Sequence, residues 1–144
     1  IITGNPLAFL DCGVLHVDVK SQREKLSDLN HRFRALLTTT KPDVAGIETL
    51  FFSKNQKTAL FVAEARGILI LALQEARIPF YECKPHEVKL AVCGYGLADK
   101  KSVAKMVWKS LGMRDLDQYD DATDALAVAI TAEGKVKFEA RLRE

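Results

Sequence analysis

The chain has 144 residues, of which 48% are hydrophobic and 28% are charged, and its net charge is +2. These values are ordinary for one folded domain with a sizeable core, so we expect a single domain over residues 1–144. No apolar run is long enough to cross a bilayer, no secretory signal pattern is present, and the small net charge does not by itself indicate a nucleic-acid surface.

Along the chain, strand-like and helix-like segments alternate. The turn Thr3-Gly-Asn-Pro6 and the strand after it resemble half of a hairpin, and we expect natural residues upstream of Ile1. Alternation of this kind predicts an α/β layer fold with a partly parallel sheet. The predicted strands are 7–17, 44–48 and 78–83, and the predicted helices are 21–37, 58–76, 85–91, 98–111 and one that starts at 121, with a charged tail from 134 that is either helical or loose.

Three cysteines, Cys12, Cys83 and Cys93, have no spacing typical of metal ligands, and their number is odd. Two of them lie in apolar, strand-like segments, where free thiols are common. The sequence therefore predicts reduced cysteines and a cytoplasmic protein.

Two carboxylates, Asp121 and Asp124, begin the most apolar helix-like stretch. Residues three apart share a helix face, so like charges meet there at the edge of a core. Glu48 ends the buried-looking strand Val44-Ala-Gly-Ile-Glu48, and open α/β sheets place ligands at such strand ends. Three converging carboxylates predict a Mg²⁺ site for phosphodiester chemistry, because a divalent cation compensates their repulsion.

Each acid also has a structural interpretation. Asp121, next to Asp120, suits a helix N-cap or first turn. Glu48 could be a solvated residue at a strand edge. Capping explains Asp124 less well, because that residue lies a full turn inside the helix.

Basic and aromatic residues surround two loops. Phe51 and Phe52 precede Lys54, a combination that suits stacking on an unpaired base beside backbone phosphates, although one Phe could belong to the core. The Gly94-Tyr-Gly96 segment is flanked by lysines, but a lone Gly-x-Gly is normally only a turn. Tyr95 and Trp108 are interpreted as packing residues.

Three blocks, in this order, resemble RuvC-type Holliday junction resolvases. The central block is Val-Ala-Gly-Ile-Glu-Thr-Leu-Phe-Phe-Ser-Lys-Asn (44–55) with Ala-Glu-Ala-Arg-Gly (63–67). The lysine-bearing block runs from Pro85 to Lys101 and contains Gly94-Tyr-Gly-Leu-Ala-Asp-Lys100. The closing acidic helix is Asp121-Ala-Thr-Asp-Ala-Leu-Ala-Val-Ala-Ile-Thr131. The resemblance covers nearly the whole chain, and the combination is more specific than any one block.

The resemblance implies an RNase H-like fold, a central mixed β-sheet flanked by helices. It implies a homodimer in the cytoplasm that nicks two opposed strands of a four-way DNA junction during recombination and repair, together with a branch-migration motor. It implies two Mg²⁺ ions per subunit, replaceable by Mn²⁺, that activate water and stabilise the leaving oxygen. The implied metal ligands are Glu48, Asp121 and Asp124, the implied lysines near the scissile phosphate are Lys89 and Lys100, Phe51 is the implied stacking residue, and the helix 58–76 is implied to contribute to the dimer.

One family feature has no match in the 144 residues. The family pattern begins with a Gly-Ile-Asp-Pro-Gly strand that carries a further metal-binding aspartate, and Asp11 and Asp18 do not fit that motif. We therefore expect an incomplete catalytic set in this sequence, with the missing strand upstream.

Three alternatives stay open at this point. The first is a related RNase H-like nuclease that acts on RNA or on another branched DNA. The second is a junction-binding protein without catalysis, and the third is an α/β scaffold whose acids are helix caps.

Overall fold

The computed structural model describes residues 1–19, 21–50, 56–113 and 120–143. Its helices and strands follow the predicted alternation, which confirms an α/β architecture. In chain order the elements are β1 (Ile2–Gly4), β2 (Leu7–Phe9), α1 (Gln22–Thr40), β3 (Ala45–Glu48), α2 (Gln56–Glu75), β4 (Phe80–Cys83), α3 (Pro85–Cys93), α4 (Lys100–Ser110) and α5 (Asp120–Arg141).

The described residues form two compact units. The first unit contains residues 1–14, 46–49 and 81–144, and the second contains residues 15–45 and 50–80. Glu48, Lys89, Lys100, Asp121 and Asp124 all belong to the first unit. The single domain over 1–144 stays a prediction.

The N-terminal hairpin of the first unit is shorter than predicted. Strands β1 and β2 pair antiparallel with Ile2 opposite Phe9 and Gly4 opposite Leu7, so both arms of the hairpin lie within the chain. The expected strand 7–17 ends at Phe9, and residues 10–19 are neither helix nor strand. Leu10 is 58% exposed, so a continued strand there would have no covering layer in this unit.

Strands β3 and β4 form a second small sheet. Ala45 donates its N–H to the Pro79 carbonyl at 3.0 Å, and Thr49 donates to the Cys83 carbonyl at 3.0 Å. The pairing positions rise together along both strands, so this sheet is parallel. The part of the chain with described structure thus holds one antiparallel and one parallel pair as two separate sheets, and not one continuous mixed sheet.

The core of the first unit lies between α3, α4 and α5, which pack against one another. Gly94, with φ of 70°, ends α3 and donates its N–H to the Leu90 carbonyl, as expected for a glycine after a helix. Removal of the apolar side chains from water supplies most of the stabilisation. The buried residues of this core include Cys83, Val88, Val92, Ala98, Val103, Val107, Leu111, Leu126, Ala127 and Val128.

Helices α1 and α2 form the second unit and pack against each other. Ser21 caps α1, because its hydroxyl accepts the Glu24 N–H while the Glu24 carboxylate accepts the Ser21 N–H. Lys41, with φ of 45°, ends the helix. Among the described helices, none has both the length and the apolar composition that a membrane crossing requires.

Candidate functional site

Glu48 is the last residue of β3 and is open to solvent. The strand end is held by the hydrogen bond from the Thr49 N–H to the Cys83 carbonyl. Cys83 is fully buried, so the backbone next to Glu48 is tied to the core. The structure therefore gives Glu48 a fixed backbone position with an accessible side chain.

A glycine allows β3 to lie directly against α5. A Cβ atom built on Gly46 would lie 2.9 Å from the Val128 carbonyl oxygen and 3.0 Å from the Ala132 Cβ. Real Cβ atoms are almost never that close to a backbone atom. The absent side chain of Gly46 thus lets the strand that carries Glu48 pack onto the helix that carries both aspartates.

Helix α5 buries one face and presents the acids at its start. Ala122 and Thr123 are 2% and 4% exposed, whereas Asp121 is exposed and the Asp124 side chain is 48% exposed. The two aspartates therefore lie at the margin of the core, as their spacing predicted.

Lys100 forms an ion pair with Asp124. Its Nζ lies 3.3 Å from the Asp124 Oδ2, and both side chains are about half exposed. The lysine is the first residue of α4, and Asp99 caps that helix by accepting the Ser102 N–H at 2.7 Å. The fold thus brings together two residues that are 24 positions apart in the sequence. Such proximity is a condition for both to act at one site.

Glu48 and Asp124 are close enough to interact electrostatically. Although Glu48 is exposed, neighbouring protein atoms displace part of the water around its carboxyl, which raises its pKa above the ordinary value, and the negative charge of Asp124 raises it further. The negative charge of Asp124 thus disfavours ionisation of the Glu48 carboxyl. Electrostatic repulsion between neighbouring carboxylates is common at functional sites, including those that bind a cation.

This raised pKa predicts a pH-dependent stability. The folded protein binds the Glu48 proton more tightly than the unfolded chain does, so this contribution to stability is full below pH 4.5 and is lost as the pH rises through the folded-state pKa. We expect Glu48→Gln to raise the free energy of unfolding of the metal-free protein at pH 7 and to change it little at pH 4. Urea denaturation in EDTA at both pH values measures this, and equal effects at the two values would contradict it.

The donor chemistry of these residues fits Mg²⁺. Carboxylate oxygens are the ligands that this hard cation prefers. Glu48 and Asp124 are coupled, and Asp121 lies one turn from Asp124 on the same helix. Among the residues with a described structure, however, no group of three His, Cys, Asp or Glu side chains is gathered closely enough to hold a metal. The three-carboxylate set therefore stays a prediction.

The Lys100–Asp124 pair predicts competition between lysine and metal. Without a metal, the Lys100 ammonium offsets part of the repulsion at Asp124, so Lys100→Gln should let metal-free, DNA-free protein bind Mn²⁺ about two- to fivefold more tightly. Calorimetric titration with Mn²⁺ measures this, with the neighbouring exposed residue changed in Lys101→Gln as the control. Weaker or unchanged Mn²⁺ binding in Lys100→Gln would contradict it.

The remaining predicted residues have separate outcomes. Lys89 lies half-buried in α3 between Val88 and Val92, and it forms no ion pair within the described part of the chain. Phe51, Phe52 and Lys54 lie outside the described residues, so their predicted DNA-binding role stays a prediction.

The interpretation of Tyr95 as a packing residue was wrong. Its side chain is 59% exposed, because the turn that follows α3 faces away from the core. The sequence signal for exposure was the position of this large side chain between two glycines, outside any periodic pattern of apolar residues that would indicate burial. Trp108 does pack against the core cluster of the first unit, in agreement with its interpretation.

Comparison with known proteins identifies the family. The family described as "Crossover junction endodeoxyribonuclease RuvC" matches residues 2–132. The protein of that name from Chloroflexus aggregans is 47% identical over 128 residues, which cover 88% of this chain and 78% of the relative. The one from Thermosipho melanesiensis is 43% identical over 128 residues, covering 88% and 82%.

Two solved structures are similar over most of the chain. "Thermus thermophilus RuvC structure" has a TM-score of 0.82 at 28% identity, covering 92% of this chain and 81% of the other. "T. thermophilus RuvC in complex with Holliday junction substrate" has a TM-score of 0.73 at 32% identity, covering 81% and 74%. The predicted RNase H-like fold is thereby confirmed, although the described strands of this chain form two separate pairs.

The family match includes β3, α3, α4 and the acidic start of α5, which are the elements that carry the candidate site. RuvC proteins are metal-dependent nucleases, in keeping with the coupled carboxylates. The sequence match, the relatives and the fold agree, and the chain belongs to the RuvC family of crossover junction endodeoxyribonucleases.

Proposed function

We propose that this chain acts as a Mg²⁺-dependent endonuclease that resolves four-way (Holliday) DNA junctions by paired, symmetric nicks in recombination and repair. The observation that carries the proposal is the cluster of Glu48, Asp124 and Lys100, in which two coupled carboxylates lie beside a lysine. The relatives are named crossover junction endodeoxyribonucleases, and one similar structure holds a Holliday junction substrate.

Each group has a distinct role in this proposal. Glu48, Asp124 and Asp121 would hold Mg²⁺, which supplies an activated water and charge stabilisation for phosphodiester hydrolysis. Lys100 forms the ion pair with Asp124 in the absence of DNA and turns to the scissile phosphate when DNA is bound. Lys89 adds positive charge from α3, and positive groups placed where phosphate charge develops lower the barrier.

A homodimer is part of the proposal, because paired nicks need two sites related by a two-fold axis. Helix α2 supports it with an exposed apolar face. Leu60 and Leu71 are 64% and 54% exposed, and their separation of eleven residues returns to the same side of a helix. Gly67 lies between them with nothing within 4 Å of a Cβ built on it, so a second helix could approach closely. This face of α2 is therefore suited to pack against the same face of a second subunit.

The dimer proposal predicts a monomer in Leu71→Glu. A charge placed in an apolar helix–helix contact costs several kcal/mol unless it is paired, whereas the same change on an exposed monomer surface would have little effect. Sedimentation velocity gives the oligomeric state, with Leu142→Glu, the same change at a leucine that is 70% exposed outside α2, as the control. A wild-type monomer at micromolar concentration would contradict the proposal.

The proposed location is the cytoplasm, which Cys12, Cys83 and Cys93 support because all three are free thiols. Burial raises the pKa of the Cys83 thiol, so it is a poor nucleophile and a packing residue. A branch-migration motor is a proposed partner on the family resemblance alone.

The experiment that tests the function is a cleavage competition. The full-length protein is offered a four-way junction, a linear duplex of the same sequence and an RNA–DNA hybrid, each with its own label, in Mg²⁺. We expect symmetric nicks in the junction and intact competitors. Preferential cutting of the hybrid or the duplex would favour a related nuclease, and tight junction binding without cutting in Mg²⁺ or Mn²⁺ would favour a binding protein.

A further inference from the structure

The turn between α3 and α4 exposes large apolar side chains. Tyr95 is 59% exposed and Leu97 is 78% exposed, and Leu90 in the last turns of α3 is 54% exposed. We call these three residues the turn patch. Nothing in the proposed reaction uses them, and the backbone bond from the Gly94 N–H to the Leu90 carbonyl links the end of α3 to the turn. Exposed apolar patches are typical of binding surfaces.

The backbone under the patch is held in place. The Gly94 N–H donates to the Leu90 carbonyl at 2.8 Å, and the Ala98 N–H donates to the Tyr95 carbonyl at 3.1 Å. Ala98 is buried in the core. Tyr95 and Leu97 therefore lie in a turn that is fixed at both ends. Binding of a ligand to them would cost little backbone conformational entropy.

The segment that carries the patch is basic. Residues 84–109 contain six lysines and only two acids, Glu87 and Asp99. Both carboxylates form bonds with other groups of the protein. Glu87 accepts the Lys84 N–H at 3.1 Å and pairs with Lys135, and Asp99 accepts the Ser102 N–H. These bonds hold the pKa of both carboxyls below their ordinary values. Apart from Lys100, which pairs with Asp124, the lysines are thus left to set the sign of the charge that this segment presents.

The patch adjoins the candidate site through α4. The turn leads directly into Lys100, whose Nζ lies 3.3 Å from Asp124. A DNA strand with its phosphate at Lys100 would therefore place a neighbouring nucleotide near the turn. A positive surface favours a polyanion, and an apolar ring within it favours the face of a base.

We propose that the turn patch is a nucleotide-binding subsite in which Tyr95 stacks on an unpaired base of the junction next to the scissile phosphate, while Leu97 and Leu90 cover its sugar. The occupant is thus an unstacked nucleotide of branched DNA. This inference rests on the proposed function and deepens it, because a subsite for an unpaired base prefers branch points over uniform duplex.

The test measures binding to a four-way junction and to a linear duplex in EDTA, where hydrolysis cannot proceed. Tyr95→Ala should weaken junction binding about tenfold, the usual effect of removing one stacking ring, while Tyr95→Phe retains it. Duplex affinity should not change. The control is Phe138→Ala, which removes a ring that is 63% exposed on α5 outside the patch. Melting temperatures of all variants establish that they are folded.

A second measurement identifies the base. Single abasic sites are placed one by one within two nucleotides of the branch point. At one position the abasic site should weaken junction binding by the wild type and leave the affinity of Tyr95→Ala unchanged. The reason is that loss of the ring and loss of the base remove the same contact. The salt dependence of binding should be equal in wild type and Tyr95→Ala, since no phosphate contact is lost.

Two results would overturn the inference while the proposed function stands. They are equal junction affinities of wild type and Tyr95→Ala, and abasic effects that add to the Tyr95→Ala effect at every position. If the wild-type protein bound the junction no better than the duplex, the proposed function itself would fail. A role of the patch in protein contact alone would appear as unchanged DNA binding and would count against the inference.

Discussion

Asp124→Asn should lower the rate of junction cleavage by the full-length protein on the order of 10³-fold or more while junction binding is retained. Asp124 is coupled to Glu48 and paired with Lys100, so the change removes a charge from the centre of the cluster. Metal-based stabilisation is worth several kcal/mol, and each 1.36 kcal/mol corresponds to about tenfold in rate. Glu48→Gln should act in the same direction.

Junction binding should survive this change because the protein stays folded. Asn has nearly the shape of Asp, and the lost ion pair is half exposed, so its removal costs at most about 1 kcal/mol of stability. Single-turnover cleavage and gel-shift titration separate the two effects. Asp18→Asn, an exposed acid that fits no family motif, is the matched control and should cut normally. Cutting at the wild-type rate by Asp124→Asn would remove this residue from the proposed metal site.

Gly46→Ala should destabilise the protein by about 1–3 kcal/mol, the usual cost of forcing a methyl group into a filled space. The new Cβ would meet the Val128 carbonyl oxygen at 2.9 Å, and a helix backbone cannot move aside as a flexible side chain can. Strand β3 would have to shift away from α5. Because Glu48 lies two residues further along the same strand, cleavage should fall together with stability.

The matched control is Gly134→Ala on α5. A Cβ at this position meets nothing within 4 Å, and alanine favours a helix over glycine by up to about 1 kcal/mol. The same chemical change should thus stabilise the protein at one glycine and destabilise it at the other. Urea denaturation of both variants measures this, and equal or stabilising effects of the two substitutions would contradict the close approach at Gly46.

Local sequence signals predicted the helices well where end signals were present. Ser21 with Glu24 begins α1, and Gly94 ends α3, both within a residue or two of the expected place. The C-terminal end of α5 had no such signal. It continues to Arg141 and makes tertiary contacts that periodicity does not contain, such as the hydrogen bond from the Tyr81 hydroxyl to Glu139 and the bond from Lys135 to the Glu82 carbonyl.

The candidate site was only partly predictable. Residue type and spacing indicated that Asp121 and Asp124 share a helix face and that Glu48 ends a strand near them, and the family resemblance supplied Lys89 and Lys100. Neither indicated that the Lys100 ammonium pairs with Asp124. Neither indicated the exposure of Tyr95, because whether a ring between two glycines is covered depends on elements far away in the sequence.

By itself the sequence determined the order of helices and strands, the α/β class and, through three motif blocks, the family to which the chain belongs. These follow from local properties, namely periodicity, capping residues and residue identity at fixed spacing. Only the tertiary structure decided that β3 lies against α5 at Gly46, that Glu48 and Asp124 are coupled, and that the turn patch faces solvent. Those facts depend on which surfaces exclude water from each other, and such contacts join residues far apart in the chain.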